Sequence, residues 1–241
     1  MAQDETVDLV SDLLEQLGST ERAVQRAARD EASARLKREP GFRETLYRLL
    51  SEGSPRARFS AAYVLFQEDR PTLRLLPALL DLLELEDGYL RWTTANMLAT
   101  LGRMHGEVYP VVLHESLRAE APQRRRMALY VLRELAPERT ETKDAFLGAL
   151  KDRDSRVRCA ALSCMAKLTD PDHACLDEAL EFARSGRDPT LQRIAVVVLP
   201  DLVAHHPEAR DAVATLLGEL GSSNDPSLAR TAQAAADRLA G

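Results

Sequence analysis

The chain is poor in aromatic side chains, which make up 5% of its 241 residues, and it has a single tryptophan. It carries three cysteines, Cys159, Cys164 and Cys175, grouped in one stretch. An odd, clustered set does not make a disulfide framework, and the three read as reduced packing residues of a reducing compartment. Long apolar runs are missing too. The longest, Ile194 to Leu199, is far short of the ~20 residues that span a bilayer, so no membrane segment is expected. The N-terminus, Met-Ala-Gln-Asp-Glu-Thr, has no basic region before an apolar stretch, which argues against a secretory signal and for a cytoplasmic location. Positive charge is in deficit, with 32 Lys and Arg against 38 Asp and Glu and a net charge of −6. A groove that holds many phosphates relies on Lys and Arg, so nucleic acid is not an expected partner. No Gly-rich phosphate loop and no Gly-x-Ser-x-Gly appears.

What the chain does have is a period. Gln25, Arg58, Arg91, Arg125, Arg158, Gln192 and Ala229 follow one another at steps of 33, 33, 34, 33, 34 and 37 residues. Three positions after each stands a small residue: Ala28, Ala61, Thr94, Ala128, Ala161, Ala195 and Ala232. Seven positions after it come Ala32, Leu65, Leu98, Leu132, Met165, Leu199 and Ala236. A fixed period of this size marks a solenoid, in which a unit cannot bury its apolar face alone and stacks on its neighbours.

Within a unit the apolar positions are spaced by three and four, as in Val157, Ala160, Ala161, Cys164, Met165 and Leu168, and a second such pattern precedes them. Each unit is therefore a helical hairpin. First helices are expected near 4–17, 40–52, 71–86, 106–119, 139–151, 173–185 and 207–220. Second helices are expected near 20–38, 55–68, 88–103, 122–136, 154–168, 188–204 and 226–240. Asp87, Asp154, Asp188 and Asp225 lie four residues before their anchors, where an N-cap carboxylate satisfies free backbone amides for about 1 kcal/mol. Pro40, Pro71, Pro122 and Pro207 fall at junctions, where a missing N–H costs little. The expectation is one domain over 1–241, with repeats at 4–38, 40–68, 71–103, 106–136, 139–168, 173–204 and 207–240.

The strings Leu50-Ser-Glu-Gly-Ser-Pro-Arg-Ala-Arg-Phe-Ser-Ala-Ala and Leu150-Lys-Asp-Arg-Asp-Ser-Arg-Val-Arg-Cys-Ala-Ala-Leu resemble the HEAT repeat in its short bacterial form, as in phycobilisome-lyase-type proteins. The resemblance covers nearly the whole chain. It implies an all-α fold, an α-α superhelix or right-handed solenoid of about seven HEAT-like hairpins, and it is nearly silent on function. The Trp, Leu-Gly and Tyr pattern of tetratricopeptide repeats is absent, as is the Thr-Pro-Leu-His of ankyrin repeats.

Catalytic constellations are hard to find. A metal site like that of HEAT-repeat hydroxylases needs several His-Glu pairs, and only His114-Glu115 is present. His205-His206 precedes Pro207 at a helix end, where a partly charged imidazole complements the helix dipole. Neither pair reads as a ligand set, and no metal or cofactor is expected. HEAT-like alkylpurine DNA glycosylases use an aromatic, a carboxylate and an arginine on the concave face. Here Trp92 is followed one turn later by Asn96, and the nearest basic cluster is Arg124, Arg125 and Arg126. A bilin lyase or chaperone-like HEAT protein is recognised by the repeat alone and stays open as an alternative, beside a DNA-binding or glycosylase protein.

The anchor arginines Arg58, Arg91, Arg125 and Arg158 read as structure. Asp87 to Arg91 and Asp154 to Arg158 are spaced as i,i+4 pairs, and in the resembling family this Asp/Arg pair ties neighbouring repeats together. The second helices line the concave side of such solenoids. One and five positions after the anchors, repeats two to four carry Phe59, Tyr63, Trp92, Asn96, Arg126 and Tyr130, with Phe66 and Arg133 one turn further. Aromatics with arginine dominate protein interfaces when buried centrally. Packing of Phe59 and Trp92 between repeats is the competing reading. The function expected is a non-enzymatic scaffold or adaptor that binds a protein or peptide in its groove.

Overall fold

The structure, a computed structural model, describes residues 2–67 and 71–241, with side chains from Val10 onward. Among the described residues every regular element is helical. The first part contains α1 (Ala2–Leu17), α2 (Arg22–Arg38), α3 (Phe42–Glu52), α4 (Pro55–Phe66), α5 (Leu76–Leu82) and α6 (Gly88–Met104). It continues with α7 (Val108–Arg118), α8 (Pro122–Leu135), α9 (Thr140–Ala149), α10 (Ser155–Met165), α11 (His173–Ser185), α12 (Pro189–Val203), α13 (Arg210–Gly221) and α14 (Pro226–Ala240). Short 3-10 turns, Leu73–Leu75 and Pro207–Ala209, lead into α5 and α13. The expected end of the second repeat, residue 68, lies outside the described residues.

The helix starts follow from local chemistry. Asp87 accepts from the amides of Tyr89 and Leu90, Asp154 from Arg156, Asp188 from Thr190 and Leu191, and Asp225 from Ser227 and Leu228. Ser54 caps α4 through Ala57, and Asp172 caps α11 through Cys175. Pro55, Pro122, Pro189 and Pro226 occupy first-turn positions, where φ is preset and no N–H is wanted. At the other end of α11, Gly186 takes φ of 59°, a left-handed stop that glycine adopts without steric cost. With this helix density, circular dichroism should report helical content above about 60%, against a globular average of about a third. A substantial strand signal would contradict the fold.

The chain forms two compact units, Met1–Val108 and Tyr109–Gly241. In the first, α1 packs on α2, α3 on α4 and α5 on α6, and α4 is central, touching α1, α2, α5 and α6 as well. In the second, the hairpins α9–α10, α11–α12 and α13–α14 form, and α8, α10, α12 and α14 touch in succession. The small column makes this close approach feasible: Ala28, Ala61, Thr94, Ala128, Ala161, Ala195 and Ala232 are all buried, and a residue without bulk lets helix axes come to about 8–10 Å. Cys164 and Cys175 belong to this interior, and burial pushes both thiols up to about 12. They pack rather than react.

The anchor column works differently from the i,i+4 pairing that its spacing suggests. Asp154 pairs with Arg156 at 3.0 Å, and Asp87 with Arg56 at 3.2 Å. The anchors instead reach back to carbonyls of their own hairpin turn. Arg58 donates to Leu50 O at 2.7 Å, Arg125 to Ala119 O at 2.7 Å and Glu120 O at 2.9 Å, and Arg158 to Asp152 O at 2.8 Å. Arg91 does the same toward Leu85 and Glu86. In three of the four the remaining nitrogens reach an aspartate of the following repeat: Asp81 for Arg58, Asp152 for Arg125 and Asp188 for Arg158, at 2.8, 2.7 and 3.6 Å. The capping aspartates pair with other guanidiniums because Arg91 and Arg158 are turned toward the carbonyls of their own hairpin turns. Gln25 and Gln192 keep the carbonyl contact alone, to Leu17 O and Ala183 O. An amide can close the turn but cannot neutralise the next repeat's carboxylate.

Candidate functional site

The positions one and five after each anchor share one face of their helix, and half of them are open to solvent. Arg26, Trp92, Arg230, Asp30, Asn96, Val197 and Ala234 are exposed, while Tyr63, Arg126, Tyr130, Cys159, Ser163 and Arg193 are half-buried. Phe59 departs from the column. It is fully buried, its ring 6.0 Å from that of Tyr63, with the Arg29 guanidinium 5.9 Å from its centroid. As a binding residue Phe59 is therefore corrected to core, because α2 lays Arg29 across it and α4 is packed on several neighbours at once.

In the first unit the face is built by α2, α4 and α6. Trp92 is 38% exposed and Tyr89, three residues before it and so on the same side of α6, is 67% exposed. Asn96 extends this stripe by one turn. From α2 come Arg22, Arg26 and Arg29 at i, i+4 and i+7, one helical stripe. Arg22 and Arg26 are exposed and no carboxylate pairs with them among the described residues. Arg29 stacks over Tyr63 at 4.8 Å, and its Nε is buried with no hydrogen-bond partner. Arg22, Arg26, Arg29, Arg56, Asp87 and Tyr89 line one depression. Four guanidiniums meet one carboxylate there, and Arg56 already holds that carboxylate. The backbone amide of Leu90, then that of Tyr89 and the charge of Arg56, keep Asp87 below the usual carboxylate range. The local sign is thus opposite to that of the chain. Tyr89, Arg22 and Arg29 were not among the residues singled out from the sequence, although the i,i+3 step from Tyr89 to Trp92 and the stripe on α2 could have found them.

Arg126, Tyr130 and Arg133 belong to the second unit, where they engage one another. The two guanidiniums lie 5.8 and 5.2 Å from the Tyr130 centroid, and Arg133 also pairs with Glu134 at 2.6 Å. Burial raises the Tyr130 hydroxyl above its ordinary value in spite of these arginines. The triplet 124–126 is no open phosphate cradle either. Arg124 approaches Glu115 at 3.7 Å, and Arg125 is buried on Asp152.

The histidines also find definite places. His114 is exposed, and its neighbour Glu115 faces Arg124. His206 is buried, and its Nε2 lies 3.0 Å from the Pro171 carbonyl. His105 makes the same contact with Pro71 O at 3.1 Å. A histidine just before a first helix thus ties down the proline carbonyl of the preceding repeat, once in each unit, and this replaces the dipole role expected for His206. Beside it, His173, His206 and Glu208 bring three ligand-capable atoms within 4.8 Å of one another. Sequence reading missed this group because His173 stands about one period away from the other two. No helix among the described residues is long and apolar enough to cross a membrane.

Residues 110–200 match the family model for HEAT repeats. An engineered protein of known structure is 17% identical over 96% of both chains, with a TM-score of 0.43. The complex of CpcE and CpcF of phycocyanin lyase from Nostoc sp. PCC7120 is 20% identical, over 94% of this chain and 93% of the other, with a TM-score of 0.40. No curated protein matches the sequence.

Proposed function

We propose that this helical-repeat protein is a non-enzymatic interaction scaffold whose first unit binds an acidic segment of a partner protein on the face made by α2, α4 and α6. The observation that carries the reading is the depression ringed by Arg22, Arg26, Arg29 and Arg56 beside the exposed Tyr89, in a chain of net charge −6. Guanidinium groups pair bidentately with carboxylates. Tyr89 and Trp92 supply the rigid apolar area on which interface energy concentrates. Arg126, Tyr130 and Arg133 offer the same residue types in the second unit, but with their charges and rings already engaged with one another and with Glu134.

A labelled peptide that alternates acidic and aromatic residues tests this by fluorescence anisotropy. Binding should weaken as salt rises, and Arg22→Glu and Arg26→Glu should each lower affinity by at least about tenfold, since like charge replaces a pair. Arg230→Glu should leave it unchanged. Equal affinity of the wild type and Arg26→Glu would overturn the reading. So would tight duplex DNA binding with a salt slope of several units, lost in the same variants, which would hand the face to a nucleic acid.

A further inference from the structure

The second unit holds an arrangement that interaction with a peptide does not use. His173 is the first residue of α11, and His206 and Glu208 flank Pro207 at the entry to α13. His173 Nε2 lies 3.2 Å from Glu208 Oε1, and His206 Nδ1 lies 3.6 Å from the same oxygen. The imidazole rings meet edge to face, with centroids 4.3 Å apart. His173 and Glu208 are exposed and His206 is buried.

The tautomer of His206 follows from its partner. A carbonyl can only accept, so the bond to Pro171 O puts the proton on Nε2. In the neutral ring, Nδ1 then turns a lone pair toward a carboxylate oxygen, and two lone pairs face each other with nothing positive between them. An imidazole held by its far N–H on a backbone carbonyl is also the usual second-sphere support of a metal-ligating histidine. We propose that His173 Nε2, His206 Nδ1 and Glu208 bind one divalent transition-metal ion of the zinc class, with the remaining position open to solvent.

The spacing suits that ion. Bonds of about 2.0–2.1 Å in tetrahedral geometry put ligand atoms about 3.3 Å apart, and the two edges that meet at Glu208 are 3.2 and 3.6 Å. All three ligand atoms lie within 4.8 Å of one another, and rotation of the exposed His173 ring would shorten the third edge. Two imidazole nitrogens with one carboxylate select zinc, cobalt or nickel over calcium and magnesium, which take oxygen ligands. Asp172, next to His173 in the chain, is held by Lys143 at 2.8 Å.

The chain carries its own two-ligand comparison. In the first unit, Pro71 and His105 repeat the Pro171 and His206 contact, and Glu107 stands two residues after His105 as Glu208 does after His206. Where His173 follows Pro171 by two residues, Leu73 follows Pro71. His173→Leu is thus a change that the corresponding place in the fold already accommodates.

Titrating the untagged full chain with Zn2+ against a chromophoric chelator is the test, with Co2+ as a spectroscopic substitute. The wild type should take up one equivalent of Zn2+, and Co2+ should give the visible spectrum of a low-coordinate site with nitrogen ligands. His173→Leu and Glu208→Gln should each weaken Zn2+ binding by at least about tenfold, whereas His114→Gln should not. Unchanged melting of the metal-free variants would show that they fold. Failure of the wild type to take up Zn2+, or equal uptake by His173→Leu, would overturn the proposal.

Discussion

Replacing Arg125 by alanine should lower stability by about 3–5 kcal/mol, the scale for breaking one side of a buried ion pair. Arg125 contacts Asp152 through two nitrogens, at 2.7 and 2.8 Å, and the Ala119 and Glu120 carbonyls through a third. The two side chains are 6% and 12% exposed, so water cannot take over either partner. Urea denaturation should show a lower midpoint with unchanged slope. Arg156→Ala, which removes a side chain that is 60% exposed, should melt like the wild type. Acid should narrow the gap. Burial works against the charged form of Asp152, but the Arg125 hydrogen bond, the Asp154 amide and the Arg125 charge outweigh it and hold the carboxyl below its usual value. A carboxyl lowered in the folded state stabilises above its unfolded value of about 3.9 and ceases to do so as pH falls through the folded value. Arg125→Ala should therefore differ most from the wild type at neutral pH and least in strong acid. A variant that melts like the wild type at neutral pH would remove the anchor column from the account of stability.

Phe59→Ala and Trp92→Ala, at equivalent positions of adjacent repeats, should part ways. Phe59 is fully buried, and deleting a buried phenylalanine leaves a cavity that costs about 3–5 kcal/mol. Trp92 keeps 38% of its surface in water, so its removal should move the melting temperature far less. Acidic-peptide affinity should respond in the opposite order, with Trp92→Ala losing binding and Phe59→Ala retaining it at temperatures where the variant is folded. Comparable thermal effects in both variants would mean that Trp92, too, is packing between repeats.

The fold was legible because its determinants are local and repeated. Aspartate four residues before the anchor, proline in the first turn and a small residue three positions on are all readable without coordinates, and α11 and α14 begin and end where the pattern puts them. The third repeat was read less well. A helix expected over 71–86 is a 3-10 turn followed by the seven-residue α5, since Pro77 sets the start of the α-helix. The division of contacts between residues 108 and 109 leaves no mark in a period that runs on across it. At the candidate face, periodicity identified the stripe but left open whether Phe59 faced the groove or packed between repeats, and Arg29 and Tyr63, which lie against its ring, decide for packing. The pairing of Arg158 with Asp188, and the meeting of His173 with His206, likewise depend on the register of stacked repeats. Each joins residues 30 and 33 positions apart, which a search for clusters along the chain passes over.

The claim that the first unit's second-helix face carries the interaction is tested most directly by partner affinity across five alanine variants. Tyr63→Ala, Trp92→Ala and Arg26→Ala should weaken binding of the acidic segment, by about 2 kcal/mol or more at the central aromatics. Ser163→Ala and Arg230→Ala, at the same repeat positions in the second unit, should bind as the wild type does. Loss of binding in Ser163→Ala or Arg230→Ala, with Tyr63→Ala, Trp92→Ala and Arg26→Ala unaffected, would contradict the account and move the interaction away from this face.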